Sequence, residues 1–317
     1  LTGTVGIIIG GPLAILLISL VSPETVGGVG FDAIWRGLST LAGSWIGGGA
    51  NQAAMLEIYE YNPEKYGGMV LVDIVVANIW MALLLIGIGK SNKIDRWLKA
   101  DNTAIESLKD KVSSYAKSIS KTPTLTDYMI MLSIAFTAVG LSHWGASGIS
   151  SFLSENFEIF NDKSSALSSF TSKFFWMITI ATIIGILLSY TKAKQYEGAG
   201  ASKLGSIFIY VLVATIGMKM DLSMIFENPG LIALGLVWMT IHALLLVGVA
   251  KLIKAPYFFL AVGSQANVGG AASAPVVAAA FHPYLTTVGE LLAVFGYVVG
   301  TYGAILCTYL MQIASGG

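Results

Sequence analysis

The amino-acid sequence predicts an all-α integral membrane protein. Of its 317 residues, 55% are hydrophobic and only 11% are charged, and the mean hydropathy is +0.74. Soluble domains carry about 25% charged residues. The apolar residues stand in long unbroken runs, as transmembrane helices of roughly 20 residues require, and they lack the ten-residue alternation of a membrane barrel. The fold class is therefore helical and multi-pass.

About nine spans are visible in the sequence. Seven of them are plainly apolar and lie at 1–22, 68–89, 124–144, 168–190, 204–220, 229–250 and 285–313. Two more, 37–56 and 256–281, are as long but contain Gly, Asn, Gln and Ser. Irregular backbone at membrane depth is tolerated only where protein buries it or where it lines a wet cavity. These two segments therefore predict discontinuous helices at a functional site.

The polar loops indicate orientation and domain organisation. The insert at 90–122 carries eight basic and four acidic residues, and such an excess of Lys and Arg is typical of a cytoplasmic loop. Around Trp97 its apolar residues recur at helical spacing, which fits either an amphipathic helix on the membrane surface or a solvated linker. We expect four parts: core repeat 1 at 1–90, the cytoplasmic loop at 91–123, scaffold helices at 124–220 and core repeat 2 at 221–317.

Composition argues against several classes of function. The net charge is zero, so nothing suggests a nucleic-acid partner. The single cysteine, Cys307, and three scattered histidines predict neither a disulfide nor a metal site, and no cofactor is indicated. We expect no enzymatic activity. The remote alternative is an intramembrane hydrolase that uses Ser147 of "GASG" as its nucleophile, although the histidine-bearing helix lacks the glycines of such enzymes.

The two glycine-rich segments occupy equivalent places in an internal repeat. "LAGSWIGGGANQAA" at 41–54 and "LAVGSQANVGGAASAP" at 260–275 each follow an apolar helix and precede another. Aligning the two GS pairs places Ser44 on Ser264 and brings the two Gly-Gly pairs within one residue of each other. The helix that follows carries one carboxylate in each copy, Asp73 and Glu290.

A helix broken inside a membrane exposes amides at the start of one half and carbonyls at the end of the other. The amides attract anionic groups, the carbonyls attract cations, and glycine provides the unusual backbone angles. Neutral hydroxyl and amide oxygens nearby suit Na⁺ or a small polar solute. The candidate substrate-binding residues are Ser44, Gly48, Gly49, Asn51, Gln52, Ser264, Gln265, Asn267, Gly269, Gly270 and Ser273. The alternative is that the glycines form tight helix-packing faces.

Ion coupling is assigned to polar groups on the flanking helices. A carboxylate within a transmembrane helix costs at least about 2.5 kcal/mol and marks function by default. The candidate ion-coupling residues are Asp73, Asn78 and Glu290. The alternative places both acids in the headgroup zone. We expect His242 to serve as a structural hydrogen-bonding residue.

Three stretches resemble a bacterial membrane-protein family known as domain of unknown function 819: "TLAGSWIGGGANQAAM" at 40–55, "IGMKMDLSMIFENPG" at 216–230 and "FLAVGSQANVGGAASAPVVA" at 259–278. That family is similar to the cation–proton antiporter, bile-acid symporter and sodium–glutamate symporter group. The resemblance implies inverted repeats whose broken helices cross at the membrane centre, an elevator mechanism, a homodimer and a bacterial inner-membrane location. It also implies that repeat 1 lacks its N-terminal helices in this chain.

These expectations combine into a secondary active transporter that couples Na⁺ or H⁺ to the symport of an amino acid, short peptide or carboxylate. A Na⁺/H⁺ antiporter without organic substrate is the alternative. No arginine lies within 256–281, and none within the glycine-rich part of 37–56, which argues against multiply charged anions. If 37–56 is counted, six spans precede 229–250, and an even number predicts that both copies run in the same direction through the membrane. The resemblance instead implies opposite directions.

Overall fold

The protein is described by a computed structural model. The structure describes residues 1–101, 103, 105, 107, 111, 114, 118–160, 170–171, 173–201, 203–205, 207–208, 211, 229–282 and 285–316. Throughout these residues the regular elements are helices, so the predicted helical class is confirmed. The chain divides into two compact units, one formed by residues 1–112 with 215–317 and the other by residues 113–214.

Unit 1 contains nine α-helices within its described residues. They are α1 (Thr2–Ser19), α2 (Ile34–Gly47), α3 (Gly49–Tyr59), α4 (Pro63–Ile88), α5 (Ser91–Leu98), α8 (Pro229–Ile253), α9 (Tyr257–Val268), α10 (Gly270–Phe281) and α11 (Thr286–Ala314). Unit 2 contains α6 (Leu125–Asn156), α7 (Lys173–Ser189) and a 3-10 helix, Lys192–Ala199.

Five described helices are long and apolar enough to cross a membrane: α1, α4, α6, α8 and the Leu291–Ala314 part of α11. A sixth span is possible if Phe175–Ser189 and Lys192–Ala199, which meet at 94°, count as one. The predicted span at 204–220 lies mostly outside the described residues. The predicted spans at 37–56 and 256–281 take a different form, described next.

Helices α2 and α3 fold back on each other as a hairpin, here called hairpin 1. The Arg36 guanidinium, near the start of α2, donates a hydrogen bond of 2.5 Å to the carbonyl of Tyr59 at the end of α3. In one continuous helix these residues would be about 35 Å apart, at 1.5 Å per residue. At the other end, a Cβ on Gly43 would lie 2.6 Å from the Asn51 carbonyl oxygen, so glycine permits this close approach.

Helices α9 and α10 form a second hairpin, hairpin 2. The Phe281 ring at the end of α10 lies 5.3 Å from the Phe258 ring and 5.8 Å from the Tyr257 ring at the start of α9, centroid to centroid. The helices break at the predicted glycines. The expectation that each broken segment crosses the membrane is wrong, because each segment returns to the end of the bundle where it began.

Helix contacts fix the directions of the long helices in unit 1. Helix α1 runs antiparallel to α8: the Gly3 carbonyl contacts His242, whereas the Ile7 carbonyl accepts a hydrogen bond from the earlier Trp238. Helix α11 runs parallel to α1, since Thr4 lies beside Gly303 and the Ile7 carbonyl lies 3.6 Å from the Cys307 sulfur.

Helix α4 runs parallel to α8. Gly68 is next to Leu231, Val72 is next to Gly235, and the Trp80 ring contacts His242 further along both helices. The helices that begin the two predicted repeats, α1 and α8, therefore point in opposite directions. The expectation of the same direction, which came from counting six spans, is therefore wrong.

Gly48→Ala is expected to lower the free energy of unfolding by about 1–3 kcal/mol, because its backbone region is almost exclusive to glycine. Gly48 has φ +77° and ψ −179°, and a Cβ there would lie 2.8 Å from Cε1 of Tyr297. Thermal unfolding in detergent measures the effect. The control is Gly248→Ala on α8, where a Cβ meets nothing within 4 Å. Equal melting temperatures for Gly48→Ala and the wild type would contradict this account of the reversal.

Candidate functional site

The tips of the two hairpins contact each other. A Cβ built on Gly270, which has φ +57°, would lie 3.5 Å from the Cα of Gly48. The Tyr297 ring of α11 lies against both glycines, since Cβ atoms there would approach its Cε1 within 2.8 and 3.2 Å. The two motifs, more than 200 residues apart in the sequence, therefore form one site.

Glycines on α11 bring that helix close to the tips. A Cβ on Gly300 would lie 2.7 Å from the Cα of Gly47. A Cβ on Gly296 would lie 3.2 Å from the carbonyl oxygens of both Ile46 and Ala266. At these two glycines the backbone of α11 lies directly against the tips, so it forms part of one wall of the site beside the Tyr297 ring.

Two asparagine amides satisfy the carbonyls at the end of α2. Asn51 donates from Nδ2 to the Gly47 carbonyl at 2.7 Å, and Asn267 donates from Nδ2 to the Ile46 carbonyl at 2.8 Å. The last carbonyls of a helix lack partners within the helix, and leaving them unpaired in a buried place is costly. Asn51 comes from hairpin 1 and Asn267 from hairpin 2, so the second amide joins the two hairpins.

The same amides reach the flanking helices. Thr301 of α11 donates a hydrogen bond of 2.6 Å to Oδ1 of Asn51. Asn267 donates a second bond, of 3.1 Å, to Oγ1 of Thr4 in α1. Both amides are buried. Their hydrogen bonds join five helices around the tips, α1, α2, α3, α9 and α11, in addition to the van der Waals contact of the glycines.

Asp73 of α4 accepts hydrogen bonds from hairpin 1. The Ser44 hydroxyl donates to Oδ2 at 2.8 Å, and the Trp45 indole donates to Oδ1 at 2.7 Å. The Gln52 side chain also lies near this carboxylate, and its buried Nε2 makes no hydrogen bond. The polar groups that reach Asp73 within the described residues are neutral, so this carboxylate is held by hydrogen bonds and not by an ion pair.

Ser264 occupies the matching position in hairpin 2 but has different partners. Its Oγ accepts a 2.8 Å hydrogen bond from the Trp80 indole and lies 2.8 Å from Nε2 of His242. An indole can only donate, so the hydroxyl hydrogen is free to go to Nε2. The other ring nitrogen of His242 then donates to the Gly3 carbonyl at 3.2 Å. With a neutral imidazole that carries its hydrogen on Nδ1, the Trp80 indole, the Ser264 hydroxyl and both ring nitrogens of His242 all have hydrogen-bond partners.

Each tip also holds a buried amide atom without a partner. Gln265 donates from Nε2 to the Ser273 hydroxyl at 2.8 Å, whereas its Oε1 has no hydrogen-bond partner. In hairpin 1 the orphan atom is Nε2 of Gln52. Unsatisfied buried polar atoms are rare in folded proteins and call for an explanation. A bound solute with both donors and acceptors would provide one.

The second helix of each hairpin begins at its tip. Helices α3 and α10 start at Gly49 and Gly270, have no capping side chain and carry no acidic residue in the first turn. A helix N-terminus carries a partial positive charge. Since the two tips touch, two such ends lie together without a compensating carboxylate in either first turn. This arrangement favours an anionic group between them.

All the candidate substrate-binding residues lie at or within two turns of the hairpin tips. The ion-coupling candidates are less uniform. Asp73 joins hairpin 1, but Asn78 is exposed and donates to the Ile74 carbonyl of its own helix. Glu290 belongs to α11, and its side chain lies outside the described part. Their roles in binding or coupling stay predictions.

Several residues of this network were not predicted as site residues. Trp45, Trp80 and Tyr297 place aromatic side chains against the tips, and Thr301 reaches Asn51. For the two tryptophans, the sequence signal that could have identified them is the indole group, because a buried Trp N–H needs a hydrogen-bond acceptor. Trp45 stands directly after Ser44 inside the quoted motif. The expectation that His242 is a structural hydrogen-bonding residue fits its two partners.

Ser264→Ala is expected to cost about 1–3 kcal/mol of stability, because it leaves a buried indole donor and an imidazole nitrogen unpaired. Trp80→Phe removes only the indole donor and leaves the hydrogen bond between Ser264 and His242. In a double-mutant cycle the two substitutions should be non-additive by about 0.5 kcal/mol or more. Chemical or thermal unfolding of the four proteins measures the coupling. Additive losses would show that the Trp80–Ser264 hydrogen bond contributes nothing.

Comparison with known proteins gives the family. A family model described as "Protein of unknown function (DUF819)" matches residues 1–313. A similar curated protein is the uncharacterized membrane protein YjcL of Bacillus subtilis (strain 168). It is 26% identical over 318 residues, covering 95% of this chain and 72% of that protein. No solved structure matches at a significant level. The chain is a membrane protein and belongs to the DUF819 family.

Proposed function

We propose that this chain is a secondary active transporter that couples Na⁺ to the symport of a small polar or anionic solute. The observation that carries the proposal is the meeting of two helical hairpins at their glycine tips, with two helix N-termini at one place. In secondary transporters, interrupted helices of this kind supply backbone dipoles to substrate and ion. The solute class is an amino acid, a short peptide or a carboxylate.

Helix directions support an inverted repeat. Repeat 1 consists of α1, hairpin 1 and α4, and repeat 2 consists of α8, hairpin 2 and α11. Corresponding helices run in opposite directions, as the contacts of α1 with α8 and of α11 with α1 indicate. In this proposal the hairpins enter from opposite faces of the bacterial inner membrane and their tips meet near its centre. Such pseudo-symmetry is the basis of alternating access.

The anionic group of the solute is assigned to the N-terminal ends of α3 and α10. The two helix N-termini, which have no acidic residue in their first turns, provide hydrogen-bond donors. Arg36 belongs to hairpin 1, but its guanidinium binds the Tyr59 carbonyl at the base of the hairpin. The donors at the tips are therefore neutral, which favours a single carboxylate over a multiply charged anion.

The cation is assigned to oxygen atoms near the tips. Asp73 has only neutral partners among the described residues, and Oε1 of Gln265 has none. Carboxylate and amide oxygens are hard ligands that suit Na⁺. The same carboxylate could carry H⁺, which is the basis of the alternative, a Na⁺/H⁺ antiporter without organic substrate. In an elevator mechanism, the two hairpins would carry both ligands across the membrane.

The first test compares the melting temperature of the purified protein in NaCl and KCl at matched ionic strength, at pH 6 and pH 8. A ligand at 100 times its dissociation constant stabilises the folded state by about 2.7 kcal/mol. We expect Na⁺ to raise the melting temperature at both pH values. Asp73→Asn, which keeps a hydrogen-bonding side chain, should lose this increase. Thr240→Val, which removes an exposed hydroxyl on α8 that bonds only its own helix, should keep it.

The outcomes separate the proposals. A melting temperature that is higher at pH 6 than at pH 8 but does not respond to Na⁺ favours proton coupling, because a proton bound by the folded state stabilises it as the pH falls. Uptake of solute into proteoliposomes that requires a Na⁺ gradient supports symport, whereas Na⁺-driven proton movement without solute supports the antiporter. A response to neither ion contradicts both forms of coupling. Loss of hydrolytic activity on Ser147→Ala would instead support the hydrolase.

Asn51→Ala and Asn267→Ala are expected to abolish the Na⁺-dependent increase, because each removes a hydrogen bond that fixes an α2 carbonyl and so disturbs the geometry of the tips. Both proteins should also melt at lower temperature, by an amount corresponding to about 1–3 kcal/mol for the carbonyl left unpaired. Membrane insertion, checked by yield and gel filtration, should persist. Wild-type affinity for Na⁺ in both variants would contradict a site at the tips.

A further inference from the structure

One end of unit 1 carries a concentration of positive charge, here called the basic end surface. Its cationic residues are Lys90, Lys93, Arg96, Lys99, Lys251 and Lys254. All are exposed except Lys251, which is half-buried. Two carboxylates, Asp95 and Asp101, share the surface and leave a formal net charge of +4, six positive minus two negative. The chain as a whole is neutral, so this charge is local.

Helix α5 is fixed across this end by contacts with α8 and hairpin 2. Lys251 donates to the carbonyl of Trp97, and its Nζ lies 4.0 Å from the centroid of the Trp97 ring. The Asp101 amide donates to the Lys254 carbonyl at 3.3 Å. Asp95 Oδ1 accepts a 2.7 Å hydrogen bond from the amide of Tyr257, the first residue of α9. Oδ1 of Asp101 also accepts hydrogen bonds from Thr103, so both carboxylates have partners nearby.

Large apolar side chains are exposed beside the lysines. Trp97 is 55% exposed, Leu252 82% and Ile253 67%. Helices α4 and α8 are both long enough to span a membrane. Helix α4 ends directly before this surface, and α8 ends within it. Exposed apolar groups next to cations at the end of a membrane span are the pattern of the lipid headgroup zone, where Lys and Arg extend towards the phosphates and Trp lies in the interface.

A shallow depression of about 700 Å³ lies on this surface, lined by Asn92, Asp95, Arg96, Lys99 and Ala100. The guanidinium and ammonium groups in its lining are hydrogen-bond donors that suit a phosphate, and Arg in particular matches phosphate geometry. The carboxylate in the lining is already bonded to the first amide of α9.

We propose that the basic end surface binds the phosphate headgroups of anionic lipids in the leaflet that it faces. Charge complementarity selects the lipid class, since clusters of Lys and Arg at the end of a membrane span are attracted to an anionic leaflet. The exposed Trp97, Leu252 and Ile253 favour a lipid over a soluble anion, because they bury apolar surface among acyl chains. This inference is independent of the proposed function.

Lipid binding would also stabilise hairpin 2. Helix α5 provides Asp95, which caps the start of α9, and the Tyr257 hydroxyl of that first turn donates to the Leu84 carbonyl in α4. A headgroup that holds α5 in place therefore holds the base of hairpin 2. Anionic lipid should raise the stability of unit 1 as a whole and not only order the surface.

The test uses the full chain in nanodiscs of phosphatidylcholine alone or with phosphatidylglycerol added as a minor component. Thermal unfolding should occur about 2–4 °C higher with the anionic lipid, which is the shift expected from a modest stabilisation of a chain of this size. Arg96→Gln with Lys99→Gln should lose most of that increase. The matched control, Lys192→Gln with Lys194→Gln in unit 2, removes two charges and should keep it. Choline chloride, which adds no Na⁺, should reduce the increase by screening.

Three results would overturn the proposal. One is equal melting temperatures in the two nanodisc compositions for the wild type. A second is the same lipid-dependent increase in the Arg96 and Lys99 variant as in the wild type. A third is an equal increase on adding inorganic phosphate to phosphatidylcholine nanodiscs, which would assign the surface to soluble anions. Native mass spectrometry should show phosphatidylglycerol retained by the wild type and the control, and released from the Arg96 and Lys99 variant.

Discussion

The structure depends on how the carbonyls at the end of α2 are satisfied. A helix that stops inside a membrane leaves carbonyls that neither water nor its own backbone can pair, at several kcal/mol each. Here Asn51 and Asn267 donate to the last two carbonyls, and the second of these amides comes from the other hairpin. Hairpin 2 therefore completes the pairing at the reversal, and the two tips form a single structural element.

This constraint explains the distribution of small residues around the tips. An amide can reach a carbonyl on another helix only if the backbones lie close together, and side chains would prevent this. Gly43 permits the approach within hairpin 1, Gly296 and Gly300 permit it for α11, and Gly3 permits it for Asn267. The packing and site interpretations of the glycines are thus complementary: tight packing brings the polar groups together, and those groups satisfy the broken backbone.

Much of the site could be predicted from sequence because membrane helices rarely contain Gly, Asn and Gln together without a reason. The break positions and the pairing of the motifs follow from such local signals, whereas the hydrogen bond between Ser44 and Asp73 was not predicted. The reversal of direction at Gly48 could not be predicted, since a broken helix that continues and one that folds back share the same composition. That difference is decided by contacts between residues about 20 positions apart, such as Arg36 with Tyr59. Asn78 failed to join the network because an amide mid-helix can bond its own backbone.

The contact between Asn267 and the Ile46 carbonyl joins residues 221 positions apart. During synthesis, hairpin 1 emerges and enters the membrane long before hairpin 2 exists, because domains form in order from the N-terminus. The two helices of each hairpin can pack against each other early, since contacts between residues close in sequence form quickly. Until the C-terminal half inserts, however, the Ile46 carbonyl must be held by water or by another temporary partner. Assembly of the tips therefore cannot be complete before the C-terminal half inserts, and a chain truncated before α9 would present an open, polar hairpin to the bilayer.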